Sequence, residues 1–80
     1  MSVSLEIENE VEWAQMHGVQ FSSLHEAYAV ILEELDEVWD ITRMKRRDRN
    51  AEDLRKEFIH IAAMAVKAIG SIDNFVGGKV

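Results

Sequence analysis

Hydrophobic side chains recur at helical intervals in the middle of the chain. Apolar residues and one threonine recur at spacings of three and four, with Val38 and Trp39 adjacent to each other: Tyr28, Ile31, Leu35, Val38, Trp39 and Thr42. This spacing is typical of one face of an α-helix. Ser23 precedes the row, and Glu26 three residues later completes a capping box, which marks a helix start. The pattern predicts a helix near 23–46 with this row facing inward.

A second periodic segment follows the short polar stretch 47–50. Asn50 and Asp53 form a second cap signal,. The main apolar row consists of Leu54, Phe58, Ile61, Ala62, Ala65, Ile69 and Ile72, and another side carries Ile59, Ala63 and Val66. A helix that is apolar on two sides requires two neighbours. The sequence predicts a helix near 51–70, one more turn over 71–75 and a flexible tail over 77–80.

The amino-terminal segment allows two interpretations. Apolar and acidic residues alternate from Leu5 to Val11, a pattern that also fits a strand,. We favour a helix near 4–17, with Ser4 as its N-cap and Gly18 as its end, because no later segment offers a strand partner. The chain is therefore predicted to be one all-α domain spanning 1–80.

Length and composition change this picture in two ways. A domain of 80 residues buries only about 60% of its unfolded surface, so one copy has little core of its own,. We expect antiparallel helices that complete a four-helix-type bundle by oligomerisation, as a dimer or a tetramer. The absence of cysteine excludes a disulfide framework, thiolate catalysis and cysteine-ligated zinc,.

Charge is divided between the two halves of the chain. Residues 1–42 contain ten acidic residues and no lysine or arginine, whereas residues 43–80 contain nine basic and five acidic residues. The net charge of −6 argues against nucleic acid as a partner,. The sequence contains no apolar run long enough for a membrane span, and its acidic start does not resemble a secretory signal. We expect no membrane partner and a cytoplasmic location.

Two acidic motifs are the strongest candidates for chemistry. The first is Glu33-Glu34-Leu35-Asp36-Glu37, and the second is Glu57-Phe58-Ile59-His60. Polar residues three apart share one helical face. In an antiparallel hairpin that turns near Arg47, facing residues have numbers that sum to about 94, as Glu37 with Glu57 and Glu34 with His60 do. These four side chains are predicted to converge, and a cation that prefers oxygen ligands, such as Mg²⁺, Mn²⁺ or Ca²⁺, would relieve their repulsion.

The order and spacing of the two motifs resemble a known family. Glu-Glu-x-x-Glu on one helix and Glu-x-x-Asp on the next, about twenty residues later, are typical of the MazG-like all-α nucleoside triphosphate pyrophosphohydrolases. Here nineteen residues separate Glu37 from Glu57. The resemblance covers roughly Trp13 to Ile69. It identifies 1–80 as a single MazG-like helical domain.

The resemblance implies an activity of the house-cleaning type. A nucleoside triphosphate or related nucleotide would be hydrolysed to a monophosphate and pyrophosphate by an oligomeric helical bundle. Glu34, Glu37 and Glu57 would hold Mg²⁺, and Glu33 or Glu37 would orient the attacking water. His60 stands where the family has Asp, and imidazole is a softer ligand that favours Mn²⁺, Fe²⁺ or Zn²⁺. Our expected ion is Mg²⁺, with Mn²⁺ as the alternative and His60 as the fourth ligand.

Candidate substrate contacts come from the basic segment and from the aromatic residues. The nucleotide-binding set comprises Trp13, Lys45, Arg46, Arg49 and Lys56. The basic side chains would bind phosphate, in the same chain or across an oligomer interface, although cations at a helix end also complement its dipole. Trp13, Phe21 and Trp39 are the aromatic residues that could stack on a base. Tyr28 and Trp39 lie in the predicted inward row, which favours a core position for both.

Two other functions stay open. Glu57 and His60 form a Glu-x-x-His pair, and two chains would together provide the ligands of a di-iron carboxylate bundle. The chain could instead be a catalytically degenerate adaptor, in which the acidic half of one copy binds the basic half of another. The acidic motif alone is also compatible with an ordinary solvated helix face.

Overall fold

The computed structural model describes residues 2–17 and 20–76 and contains only helices within those ranges. Its four α-helices and one 3₁₀ turn are α1 (Val3–Met16), α2 (Leu24–Thr42), the turn Arg46–Asp48, α3 (Ala51–Gly70) and α4 (Ile72–Phe75). The all-α prediction is confirmed. Among the described helices, none combines the length and the apolar character needed to cross a bilayer.

Side-chain caps fix the starts of the two long helices. Ser23 Oγ accepts a hydrogen bond of 3.1 Å from the Glu26 backbone N–H, and Glu26 Oε1 accepts one of 3.1 Å from the backbone of Ser22. Asn50 Oδ1 accepts from the backbone N–H groups of both Glu52 and Asp53. Each cap satisfies backbone donors that the first helical turn leaves without partners. Both predicted helix starts are therefore correct.

Two other predicted helix ends differ from the structure. Ser2 caps α1 by accepting from the Leu5 backbone, so the predicted N-cap Ser4 lies inside the helix. The second helix ends at Thr42 rather than near Arg46, and Arg49 donates a 2.8 Å hydrogen bond to the Thr42 carbonyl. A basic side chain thus satisfies a carbonyl at the C-terminus of α2. Gly18 and the predicted tail 77–80 lie outside the described residues.

α3 lies between α1 and α2 and contacts both, as its two apolar sides predict. Ala14, Ala27 and Ala63, one alanine from each of these helices, are buried. Arg55 donates two hydrogen bonds, of 2.6 and 2.5 Å, to the Glu6 carboxylate and so links α3 to α1. This bidentate contact lowers the pKa of Glu6 and raises that of Arg55,.

The predicted inward row of α2 is only partly inward in the single chain: Ile31 and Val38 are partly buried, whereas the other four residues are exposed. Tyr28 is 66% exposed, Leu35 47% and Trp39 58%. On α3, Phe58 and Ile69 are 52% and 68% exposed, and both lie roughly 120–140° around the helix from the buried Ala63,. The core positions expected for Tyr28 and Trp39 are wrong for one copy. We call these five residues the outer apolar row.

The buried interior also contains one lysine. Lys67 of α3 is 6% exposed, and its Nζ lies 4.5 Å from the centre of the Phe21 ring. Among the described residues, this Nζ has no hydrogen-bond partner. Burial lowers the pKa of Lys67 more than the nearby Glu26 carboxylate raises it. Burial therefore disfavours the charged form of this amine.

Candidate metal centre

Three potential ligands converge where α2 packs against α3. Glu34, Glu57 and His60 each offer one donor atom, and these atoms all lie within 4.8 Å of one another. His60 Nδ1 is 3.5 Å from Glu34 Oε2, across the two helices. This is one of the two pairings that the hairpin register predicts. The antiparallel arrangement thus brings residues 26 positions apart in the sequence into one cluster.

The two carboxylates of the cluster are incompletely satisfied. Glu34 Oε2 and Glu57 Oε2 are both buried, and neither has a hydrogen-bond partner among the described residues. Leaving a buried ionised acceptor unpaired costs folding free energy. Each oxygen is therefore better satisfied when a proton or a cation occupies the space between the side chains.

A third carboxylate, that of Glu37, lies at the edge of the cluster. A hydrogen bond with Glu57, together with the repulsion between the two charges, raises the pKa of Glu37. A hydrogen bond with Glu34 and the nearby His60 act in the opposite direction but are weaker. Glu37 and Glu57 are the second pair that the register predicts to face each other. Their proximity favours binding of a positive species.

The donor set fits a divalent cation. Ligand oxygens and nitrogens that bind one ion at about 2.0–2.3 Å lie at most about 4.6 Å apart, so small side-chain rotations suffice here. Two carboxylates suit Mg²⁺ or Mn²⁺, whereas an imidazole suits Mn²⁺, Fe²⁺ and Zn²⁺. Mn²⁺, Fe²⁺ and Zn²⁺ each accept both ligand types. The residues therefore fit a divalent cation.

A carboxylate from α1 also lies beside the cluster, and the sequence analysis did not predict it. Glu10 Oε2 lies 3.8 Å from His60 Nε2. The hairpin register relates only α2 to α3, so it predicts no contact for residues of α1. One signal was present: Glu6, Glu10 and Trp13 follow at steps of four and three, which places them on one face of α1,. That face is the one that contacts Arg55 and His60 of α3.

A groove between α1 and α3 opens beside the cluster. It consists of two adjoining pockets of about 620 and about 430 Å³, and both are lined by Glu10, Lys56 and His60. Trp13 and Glu34 line the smaller pocket. The Trp13 ring is 56% exposed and stacks on His17, with ring centres 4.2 Å apart. Two predicted substrate contacts, Trp13 and Lys56, thus lie beside the cluster.

The other predicted contacts lie elsewhere. Lys45, Arg46 and Arg49 are exposed and follow the end of α2, which is itself about 7–8 Å beyond Glu37 along the helix axis,. Within one chain the structure does not bring them to the cluster. Glu33 is exposed and is not one of the three grouped donors.

Phe21 cannot serve as a stacking surface for a base. It is only 1% exposed, and its ring lies beside the Lys67 amine in the interior. The sequence prediction for this residue is wrong, because the Phe21 side chain packs into the interior. The Phe21 carbonyl also accepts a 3.2 Å hydrogen bond from Asn74, which fixes this segment to the carboxyl end of the described chain.

Comparison with known proteins yields no relative. No family model matches the sequence, and neither a curated protein nor a solved structure matches it significantly.

Proposed function

We propose that the chain is a metal-dependent nucleotide pyrophosphohydrolase. The observation that carries the proposal is the convergence of Glu34, Glu57 and His60 within 4.8 Å, with buried carboxylate oxygens that lack hydrogen-bond partners. These residues would hold a divalent cation, assisted by Glu37. The resemblance of the two motifs to MazG-like enzymes supports the same activity. The substrate would be a nucleoside triphosphate or a related nucleotide, cleaved between its α- and β-phosphates.

Each side chain of the groove would have a distinct role in this reaction. When bound, a divalent cation neutralises phosphate charge and makes a water molecule more acidic. Lys56, at the junction of the two pockets, would donate hydrogen bonds to phosphate oxygens,. The Trp13 ring would stack on the base after its stacking contact with the His17 ring is broken,. The groove is large enough for part of a nucleotide, since ligand pockets typically enclose about 300–1,000 Å³.

Glu37 is the best candidate for the proton acceptor. Its side chain is exposed at the edge of the cluster, beside Glu57, where a water molecule can reach it,. In the reaction a water oxygen would bond to phosphorus while a Glu37 carboxylate oxygen takes its proton. The bond to the bridging oxygen then breaks, which gives a monophosphate and pyrophosphate. Glu33, the other predicted base, is exposed.

We also propose that a second copy of the chain covers the outer apolar row. Five large apolar side chains on α2 and α3 are each about half exposed or more, and exposed apolar surface of this kind can form an interface with another chain,. Their burial would complete a four-helix-type bundle as a dimer, or as a tetramer built from dimers. Lys45, Arg46 and Arg49 would then be available to bind phosphate in a neighbouring copy's groove.

Pyrophosphate release tests this function. The purified protein is incubated with a panel of nucleoside triphosphates and either Mg²⁺ or Mn²⁺. We expect pyrophosphate and the corresponding monophosphate in equal amounts, with a rate that Glu37→Gln lowers by about a hundredfold or more. Asp36→Asn removes a neighbouring exposed carboxylate of the same helix and should leave the rate unchanged. No release from any nucleotide with either ion would contradict the proposal.

Two further measurements on the same purified protein distinguish the alternative functions. Uptake of two Fe²⁺ ions per dimer, with an oxo-iron band in the near ultraviolet, would instead support a di-iron bundle based on Glu57 and His60. A stable oligomer that neither binds a metal nor hydrolyses a nucleotide would support an adaptor.

A further inference from the structure

His60 lies between two carboxylates that come from different helices. Its Nδ1 is 3.5 Å from Glu34 Oε2 on α2, and its Nε2 is 3.8 Å from Glu10 Oε2 on α1. A neutral imidazole carries a proton on only one nitrogen, and the other presents a lone pair. When the ring is neutral, one of the two carboxylates therefore faces a lone pair, and a cation on that side would relieve the repulsion. The arrangement is asymmetric among the described residues, because Glu57 is grouped with Glu34 and His60 and not with Glu10.

We infer that Glu10 is a positioning residue for a site that prefers Mn²⁺ to Mg²⁺. This inference rests on the proposed metal site. The Glu10 carboxylate would accept a hydrogen bond from the protonated Nε2 of His60 and so hold the Nδ1 lone pair toward Glu34 and Glu57. A carboxylate bound to the outer nitrogen of a metal-binding histidine fixes the ring tautomer and raises ligand basicity. The resulting nitrogen ligand favours a transition-metal ion.

The geometry allows this hydrogen bond with little movement. The distance of 3.8 Å exceeds a good N–H···O distance by less than about 1 Å,. The Glu10 side chain is 41% exposed, so it has room to rotate, whereas the His60 side chain is 26% exposed and held between three helices. Glu10 can move to the ring more easily than the ring can leave the cluster. Binding of a cation on the Nδ1 side would strengthen the Nε2–H donor.

The matched control lies two residues away. Glu12 is exposed and points to the other side of α1, so Glu12→Ala removes the same charge without touching His60,. Mn²⁺ affinity is measured without nucleotide, from the electron paramagnetic resonance signal of free Mn²⁺. We expect Glu10→Ala to weaken Mn²⁺ binding by about tenfold or more, and Glu12→Ala to change it little. Glu10→Asp should restore part of the affinity.

A second measurement reports the tautomer directly. Nitrogen-15 chemical shifts of His60 are recorded in the metal-free protein at alkaline pH, where an imidazole is neutral. The closer Glu34 carboxylate favours a proton on Nδ1. We therefore expect a detectable share of the Nε2–H form in the wild type and in Glu12→Ala, and a smaller share in Glu10→Ala. If Glu10 only stabilised the fold, its replacement would leave the ratio of the two His60 tautomers unchanged. Moreover, Glu10→Ala should no longer affect Mn²⁺ affinity when His60 is replaced by Asp.

The outcomes separate this inference from the function on which it rests. Equal Mn²⁺ affinity in Glu10→Ala and Glu12→Ala would overturn the role of Glu10 and leave the metal site intact. Tighter binding of Mg²⁺ than of Mn²⁺ by the wild type would overturn the ion preference. If the wild type binds neither ion, the metal site is wrong and the inference falls with it.

Discussion

His60 Nδ1 lies 3.5 Å from Glu34 Oε2, and this contact joins the third helix to the second at the centre of the acidic cluster. Both side chains are about one quarter exposed, so the pair is accessible from the groove but sheltered from bulk water. Charge is poorly screened at such a position. The relationship explains why small changes at these two residues and their neighbours should alter cation binding strongly.

Replacing His60 by Asp should change the ion that supports hydrolysis. A carboxylate in place of the imidazole gives an all-oxygen ligand set, which suits the hard Mg²⁺ ion better. We expect the ratio of the Mg²⁺-dependent rate to the Mn²⁺-dependent rate to rise by about tenfold or more. His25→Asp, at the exposed start of α2, is the control and should leave the ratio unchanged. An unchanged ratio in His60→Asp would show that His60 does not bind the ion.

Replacing Glu57 by Gln should affect the metal-free and metal-loaded proteins in opposite ways. Without a cation, the change removes the charge that raises the pKa of Glu37, so the melting temperature should rise,. With saturating Mn²⁺, the wild type gains about 2.7 kcal/mol at one hundred times the dissociation constant, whereas the variant should gain little. Scanning calorimetry with and without Mn²⁺ measures both effects, and Asp36→Asn serves as the control. An equal Mn²⁺-induced shift in both proteins would exclude Glu57 as a ligand.

The raised pKa of Glu37 also predicts a pH dependence for the metal-free protein. A carboxyl whose pKa is raised on folding stabilises the fold while it is protonated, below its ordinary pKa of 4.5,. That contribution is lost as the pH rises through the higher pKa of the folded state. We expect Glu37→Gln to remove this loss, as measured by urea unfolding between about pH 4 and pH 7. A wild type and variant with parallel stability profiles would contradict the assignment.

The lowered pKa of Lys67 predicts a second pH dependence of stability, at alkaline pH. Burial lowers its pKa below 10.5 in the folded state, so the unfolded chain binds the proton more tightly. Stability should therefore rise with pH between the lowered pKa and 10.5, where the folded protein has already lost the proton,. Lys67→Met should remove this rise and stabilise the protein at neutral pH by about 1 kcal/mol, because it replaces an unpaired buried amine with an apolar side chain. A destabilised Lys67→Met would indicate that the amine has a partner or ligand.

The outer apolar row can be tested by a charge placed within it. Trp39→Glu should shift the protein toward the monomer in sedimentation velocity, since a buried unpaired carboxylate strongly disfavours an interface. Met16→Glu is the matched control: Met16 is 82% exposed but lies on α1, outside the row. If Trp39→Glu and wild type have the same mass at all concentrations, the second copy does not bind this row.

The hairpin could be predicted from the sequence because its signals are local. Ser23 and Asn50 mark the starts of α2 and α3 through caps that form within one helical turn, and a short polar segment joins the two helices,. These positions fix the register that pairs Glu34 with His60. No local signal fixes how α1 lies on α3, so the approach of Glu10 to His60 became visible only in the structure. For the same reason the sequence could not show that Trp39 faces outward while Lys67 lies inside.

The location of a bound cation tests the central claim most directly. Crystals of the wild type grown or soaked with Mn²⁺ are measured at a wavelength where manganese scatters anomalously. We expect one strong anomalous peak per chain between Glu34, Glu57 and His60, and no peak there in Glu57→Gln crystals treated in the same way. Saturating Mn²⁺ with no peak at these three residues, or with its ordered peak elsewhere on the chain, would contradict the account.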